Sequence, residues 1–245
     1  MLSFIVPAFN EESLIGGTLK ALNDAGAALG QPFEVVVVDD ASTDRTAAIA
    51  AEHGARVVPV QNRQIAATRN AGARAASGGM LIFVDADTVV TRAVVREAID
   101  AMRAGAAGGG SLVRFDGHVP LYGRFLLGAI LPLYRLFRIA SGSFLFCTRQ
   151  AFDAAGGFDE KLFVAEELAL SRALHRQGRF LVLREFVTTS GRKVRAYSAR
   201  EVLGVMARVV LSGEQGLRQR KGLEPWYGVR RPDPGSRESP RSPNC

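Results

Sequence analysis

Two carboxylates one residue apart, Asp85 and Asp87, follow the apolar run Leu81-Ile82-Phe83-Val84. Four consecutive β-formers predict a buried strand. In an open α/β sheet, ligands bind beyond the carboxyl ends of the strands, which is where both acids fall. No Lys or Arg adjoins them in the sequence. Oxygen-only ligands suit Mg²⁺ or Mn²⁺, which take one or two carboxylates together with substrate phosphates. A competing reading makes one of the acids the cap of a following helix. The spacing alone leaves both open.

Three further stretches carry chemistry. Phe33-Glu34-Val35-Val36-Val37-Val38 runs into Asp39-Asp40-Ala41-Ser42-Thr43-Asp44, so a second strand also ends in paired acids. These acids either read a ligand or shape the turn and cap the next helix. Glu166-Glu167 opens a helical pattern through Leu168, Leu170 and Leu174. Acids at a helix start complement its dipole. Ser190-Gly191-Arg192-Lys193 is a small-residue turn with two cations. It closes over phosphate or is an ordinary exposed turn.

The elements that must hold these residues alternate. Leu2 to Val6 predicts a strand, Glu11 to Leu22 a helix and Phe33 to Val38 a strand without polar alternation, as in a parallel sheet buried on both faces. Thr46 to His53 predicts a helix capped by Ser42 or Thr43, Val57 to Val60 a strand, and Gln64 to Ala76 a helix rich in small residues. After the Asp85/Asp87 strand, Thr91 to Ala104 has a helical apolar side. This is a mostly parallel, doubly wound α/β order. Gly105 to Gly110 reads as a flexible linker between two halves. Beyond it, Gly110 to Phe115, Phe180 to Leu183 and Phe186 to Thr189 predict strands, and Ser198 to Leu211 a last helix. The expected division is a domain over 1–217, with halves 1–105 and 106–217, and a basic flexible tail over 218–245.

The chain has 245 residues, 47% apolar and 22% charged, enough for one α/β domain. Its net charge is +7, and the seven basic against three acidic residues after Leu217 put +4 of it in the tail. Basic tails attract anionic lipid or nucleic acid. No helix-turn-helix, zinc-finger or RNP pattern accompanies this one, so no nucleic acid is expected. Two cysteines, Cys147 and Cys245, exclude a disulfide framework. The start lacks a basic n-region, which predicts no signal peptide and a cytoplasmic protein. In the 120–140 stretch, Arg124, Arg135 and Arg138 fall within about 60° of one another at helical period. That segment is a membrane-interface helix or a buried helix with snorkelling arginines. The first reading, with the tail, places the protein peripherally on the inner face of the plasma membrane.

Several motifs occur in a fixed order: Val6-Pro7-Ala8-Phe9-Asn10-Glu11-Glu12, Val37-Val38-Asp39-Asp40-Ala41-Ser42-Thr43-Asp44, Arg69-Asn70-Ala71-Gly72, Asp85-Ala86-Asp87 and Gly156-Gly157-Phe158-Asp159-Glu160, then Glu166-Glu167. With them the chain resembles the family 2 glycosyltransferases of the GT-A fold, from about Leu2 to Lys193. The resemblance implies a Rossmann-like sandwich and a metal-dependent, inverting transfer. The sugar passes from a nucleotide-diphosphate sugar to a hydroxyl acceptor, glycan or lipid-linked.

By that resemblance Pro7, Asn10 and Glu11 edge the nucleotide. Asp40, with Asp39 beside it, reads the base, and a carboxylate there accepts from a ring N–H of uracil or guanine. Arg69 reaches the diphosphate or pairs with an acid of the metal strand. Asp87 contacts the metal, and Asp85 binds donor hydroxyls or a metal-bound water. The family's base is the Asp of a Glu-Asp pair. Here Glu167 stands in that place, one methylene longer and in need of a deeper seat. Two other functions share parts of this pattern. A sugar nucleotidyltransferase has a similar architecture, but Glu11-Glu12 would repel a triphosphate after the first strand. A non-catalytic nucleotide-sugar-binding protein would keep the donor site without the base.

Overall fold

Apolar runs bounded by turns become the strands of one sheet. The computed structural model describes residues 1–120, 122–123, 128, 139–198, 200–201, 204, 216–220, 223 and 233. Strands β1 (Leu2–Ala8), β2 (Phe33–Asp40), β3 (Arg56–Val60) and β4 (Met80–Val84) alternate with helices α1 (Ile15–Ala27), α2 (Thr46–Glu52) and α3 (Ile65–Ala75). A short β5 (Thr88–Val89), α4 (Arg92–Arg103), β6 (Ala106–Phe115), β7 (Phe144–Thr148), α5 (Arg149–Ala155), α6 (Glu166–Gln177), β8 (Arg179–Thr189) and α7 (Arg192–Ala196) follow.

The sheet order is β3-β2-β1-β4-β7-β6-β8-β5. The pairs β1–β2, β1–β4, β2–β3 and β6–β8 are parallel, while β4–β7, β6–β7 and β5–β8 are antiparallel. The sheet is therefore mixed, and its first four strands form the parallel half. Alternate side chains of β1 serve opposite layers. Leu2, Phe4 and Val6 pack with residues of α1 and α4, whereas Ile5 packs with those of α3 and α6. Val36, Val37 and Val38 are fully buried, which explains the run without alternation. Each such side chain contributes about 1.5–3 kcal/mol by leaving water.

Three sequence expectations change. Gly105 to Gly110 is not a linker: only Gly105 turns, at φ +84°, and Gly108, Gly109 and Gly110 lie buried inside β6. A Cβ on Gly109 would collide with the Leu181 carbonyl oxygen and stand 2.5 Å from Phe146 Cζ. These glycines admit close strand contact, and flexibility has no part in it. The two expected strands after Gly178 are one, β8, with a register irregularity opposite Gly110 and Leu112. The acids Glu11 and Glu12 precede α1 instead of opening it. The Glu11 carbonyl accepts from Leu14 and Ile15 N–H, and the helix begins at Ile15.

Most of the 120–140 stretch, most of the expected helix over 198–211 and most of the tail lie outside the described residues, and so do the membrane readings attached to them. Of the expected tail, Leu223 is buried and Asp233 pairs with Arg195 at 2.6 Å, so these residues pack on the domain. Among the described residues no helix is long and apolar enough to cross a membrane.

Candidate active site

The carboxyl ends of β1, β2 and β4 form one edge, and most of the singled-out residues sit along it. At β4 the chain turns tightly. Asp85 N–H donates to the Ser143 carbonyl (3.3 Å) and Thr88 N–H to the Asp85 carbonyl (3.0 Å). Neither acid caps a helix, because Thr91 is the N-cap of α4 and accepts from Val94 N–H at 3.2 Å. The capping alternative is thereby removed.

Asp87 lies in a largely buried ionic cluster. Arg192 Nη2 donates to Asp87 Oδ2 (3.0 Å) and to Glu11 Oε1 (2.6 Å), joining residues 181 positions apart. Thr189 Oγ1 donates to Asp87 Oδ1 at 3.3 Å, and Ser190 N–H to the Asp87 carbonyl at 3.0 Å. The Asp87 side chain is 11% exposed. Burial pushes its carboxyl upward, and Glu11 and Asp85 add to this against the pull of Lys193 and Arg192. Two acids near a third, in a desolvated place, favour a further positive charge. Among the described residues no three His, Cys, Asp or Glu groups converge to hold an ion unaided. An ion held by Asp87 would need phosphate oxygens and water as its other ligands. The Arg192 turn is not an ordinary exposed turn, since the arginine side chain is 17% exposed and engaged by both acids.

Asp85 belongs to a second cluster. Arg69 Nη2 donates to Asp85 Oδ1 (2.9 Å) and to the Gly142 carbonyl (2.9 Å), while Nη1 donates to Glu166 Oε1 (2.7 Å). Arg69 sits on α3, whose small residues let the helix approach the sheet. Burial would pull its proton affinity down, and Asp85, Glu166 and Glu167 raise it instead. Glu166 is buried beside Glu167; burial and that neighbour push its carboxyl up, and Arg69 opposes them. Glu167 is partly exposed and lies across from Gly142, where a Cβ would stand 3.9 Å from its Cδ. Arg69 therefore pairs with an acid of the β4 edge, one of the two alternatives its motif left open.

At β2 the paired acids divide their work. Asp40 Oδ1 accepts from Asn62 N–H (2.7 Å) and Arg63 N–H (2.9 Å), and Oδ2 from Gln64 N–H (3.3 Å) and Thr68 Oγ1 (2.8 Å). Its carboxylate is thus committed to the loop that enters α3 and to the helix's first turn. Asp39 Oδ1 is buried and has no hydrogen-bond partner. Pro7 is buried within β1, opposite Val38 and past Ile5, where the β1–β4 pairing stops. Asn10 holds the two loops together. Its backbone N–H donates to Ser42 Oγ (2.9 Å), and its Oδ1 accepts from Thr43 N–H (2.8 Å). Asn10 (φ +50°) and Ala41 (φ +60°) are both left-handed, a costly geometry for Ala.

The structure thus brings Glu11, Asp87 and Arg192 together, and Asp85 and Arg69 together with the Glu166-Glu167 helix start. Asn10, Asp39 and Asp40 are at the adjoining strand ends. Sequence reasoning missed Gly142 and the stacking of Arg63 on Phe9, 3.7 Å from guanidinium carbon to ring centroid. It also missed the left-handed Ala165 (φ +63°) just before Glu166. Nothing in the sequence signals these, because each depends on a loop placed by a distant element.

Solved structures share this architecture. The mannosyltransferase PcManGT from Pyrobaculum calidifontis, in complex with GDP-Man and Mn²⁺, superposes with a TM-score of 0.67 over 93% of this chain and 67% of its own, at 18% identity. S. aureus TarS 1-349, in complex with UDP-GlcNAc, gives 0.60 over 91% and 69%, at 20% identity. Identities this low establish the fold, which is of the GT-A type. In sequence, the succinoglycan biosynthesis protein ExoO of Rhizobium meliloti is 31% identical over 202 residues, 78% of this chain and 57% of the relative. The undecaprenyl-phosphate 4-deoxy-4-formamido-L-arabinose transferase of Pseudomonas paraeruginosa is 36% identical over 94 residues, 36% of this chain and 28% of that protein. The chain thus spans 57% and 28% of the lengths of these two relatives. The family model for glycosyl transferase family 2 matches residues 3–152, more than half of the 245 residues, and on that match the chain belongs to glycosyl transferase family 2.

Proposed function

We propose that the protein transfers a sugar from a nucleotide-diphosphate sugar to a hydroxyl acceptor, with Mg²⁺ or Mn²⁺ and with inversion. One observation carries this reading. Arg69 joins Asp85, at the donor edge of the sheet, to Glu166, at the start of α6 (2.9 and 2.7 Å). That link supports Glu167, the next residue of α6, as the carboxylate at the donor site. A donor held at the β1–β2–β4 edge then presents its anomeric carbon toward a carboxylate.

Glu167 takes the acceptor hydroxyl's proton as the oxygen forms its bond to the anomeric carbon. The bond from that carbon to the diphosphate oxygen breaks, and its electron pair leaves with the nucleoside diphosphate. Attack opposite the leaving group inverts the centre. Asp87 would hold the divalent ion, which supplies positive charge at the departing phosphate. Arg192, now on Asp87 and Glu11, adds a second cation for the diphosphate. Asp39 reads the base, since Asp40 is committed to its loop. Pro7 and Asn10 shape the nucleotide edge. Residues 1–105 form the donor half and 106–217 the acceptor half. A relative named for undecaprenyl-phosphate supports a lipid-linked acceptor and a peripheral cytoplasmic location.

Thermal unfolding with UDP, GDP, CDP and ADP, each with and without Mn²⁺, tests the donor site. A ligand at 100 times its Kd adds about 2.7 kcal/mol to the folded state. We expect one uridine or guanosine diphosphate to stabilise the protein, dependent on Mn²⁺ and lost in Asp87→Ala. No shift with any nucleotide sinks the reading. Binding without turnover of any nucleotide sugar would favour a binding protein.

A further inference from the structure

The Glu166-Arg69 pair has no assigned chemistry, yet it is buried beside the proposed base. The Arg69 and Glu166 side chains are 3% and 7% exposed. Replacing a buried pair with apolar groups is often neutral or stabilising, so stability alone gives little reason to keep one here. Its geometry gives another. The Arg69 fork has Glu166 on Nη1 and both Asp85 and the Gly142 carbonyl on Nη2. Ala165, at φ +63°, gives the first turn of α6 no side-chain cap. Opposite it, Gly142 lets the Arg69 guanidinium come close: a Cβ there would lie 3.2 Å from Arg69 Nη2, tighter than an ordinary contact, and 3.9 Å from Glu167 Cδ, an ordinary one.

We infer that Glu166, acting through Arg69, is a positioning residue for Glu167, and that Gly142 gives the Arg69 guanidinium the room to make this anchor. The inference rests on Glu167 being the base. Arg69 ties the helix start to the β4 edge, and Glu166 transmits that anchor to its neighbour. Glu166 sits on Arg69 Nη1, whereas Asp85 is held by Nη2. Loss of Glu166 therefore acts on the chemical step and leaves the Asp85 contact at the donor edge in place.

The test uses the full chain, Mn²⁺ and a panel of UDP-glucose, UDP-N-acetylglucosamine and GDP-mannose. It reads nucleoside diphosphate release with water as acceptor, alongside the melting temperature. Glu166→Ala should lower kcat about 10–100-fold, the cost of misplacing a reacting group by about 1 Å, and leave donor KM within about twofold. Glu166→Gln keeps an acceptor for Arg69 Nη1 and should recover most of that loss. Gly142→Ala removes no charge and should lower kcat in the same way. It remains informative if Glu166→Ala fails to fold. Parental kcat in folded Glu166→Ala and Gly142→Ala, with only the melting temperature lowered, would overturn the inference. A raised KM at unchanged kcat would also overturn it, and would assign the pair to donor binding. Glu167→Gln with parental kcat would remove the base assignment itself. No turnover by the parent with any donor would sink both the function and this inference.

Discussion

Exchanging each β2 acid separately should split stability from nucleotide binding. Asp40 accepts four hydrogen bonds, three from the loop that leads into α3, at 2.7, 2.9 and 3.3 Å, and one from Thr68 within the helix, at 2.8 Å. In Asp40→Asn one oxygen becomes an NH₂ facing two donors. Two hydrogen bonds to a charged group are lost, each contributing about 1.5–3 kcal/mol, so a loss of about 3–6 kcal/mol follows. In a domain of this size that lowers Tm by about 6–24 °C. Asp39 Oδ1 has no hydrogen-bond partner, so Asp39→Asn should change stability by less than about 1 kcal/mol. It should instead weaken uridine or guanosine diphosphate binding about 10–100-fold, because an amide N–H would face the ring N–H that a carboxylate accepts. Differential scanning calorimetry gives the first quantity and titration calorimetry with UDP and GDP in Mn²⁺ the second. Suppose Asp40→Asn melts like the parent and loses the nucleotide, while Asp39→Asn binds normally. The division of roles would then be refuted, and base reading would return to Asp40.

Gly109→Ala should destabilise by about 3 kcal/mol or more, seen as a lower denaturation midpoint in urea, because its Cβ meets the backbone of β8 and the Phe146 ring. An unaltered midpoint would mean that β6 and β8 separate at little cost. Glu34 is pushed up by burial, but hydrogen bonds from Ser3 Oγ and Ser77 N–H and the Arg56 charge hold its carboxyl below the usual range. A lowered folded value means that its stabilisation is complete above about pH 4–5 and is lost as pH falls through that value. Glu34→Gln should cost about 1 kcal/mol at pH 7 and less in acid; an equal cost at pH 7 and pH 3 would contradict this.

By itself the sequence determined the α/β order of the first hundred residues. Continuous Val-rich runs are buried on both faces of a parallel sheet, and turn residues end them, so local pattern and final burial agree. It also determined that acids stand at the ends of β2 and β4, because a strand's C-terminal edge is a property of chain order. The second half was less legible. Gly108 to Gly110 look like a linker until β7 and β8 close on them, since a glycine's reason lies in its neighbour's backbone. The tertiary structure alone decided which acid does what. Asp39 and Asp40 are adjacent and chemically identical, yet the pleat turns one toward the loop before α3 and leaves the other's Oδ1 without a hydrogen-bond partner. Likewise Arg69 finds Glu166 across 97 residues, and Arg192 finds Glu11 across 181. Such pairs leave no local periodicity, because burial and Coulomb attraction act through space and the sequence records only succession.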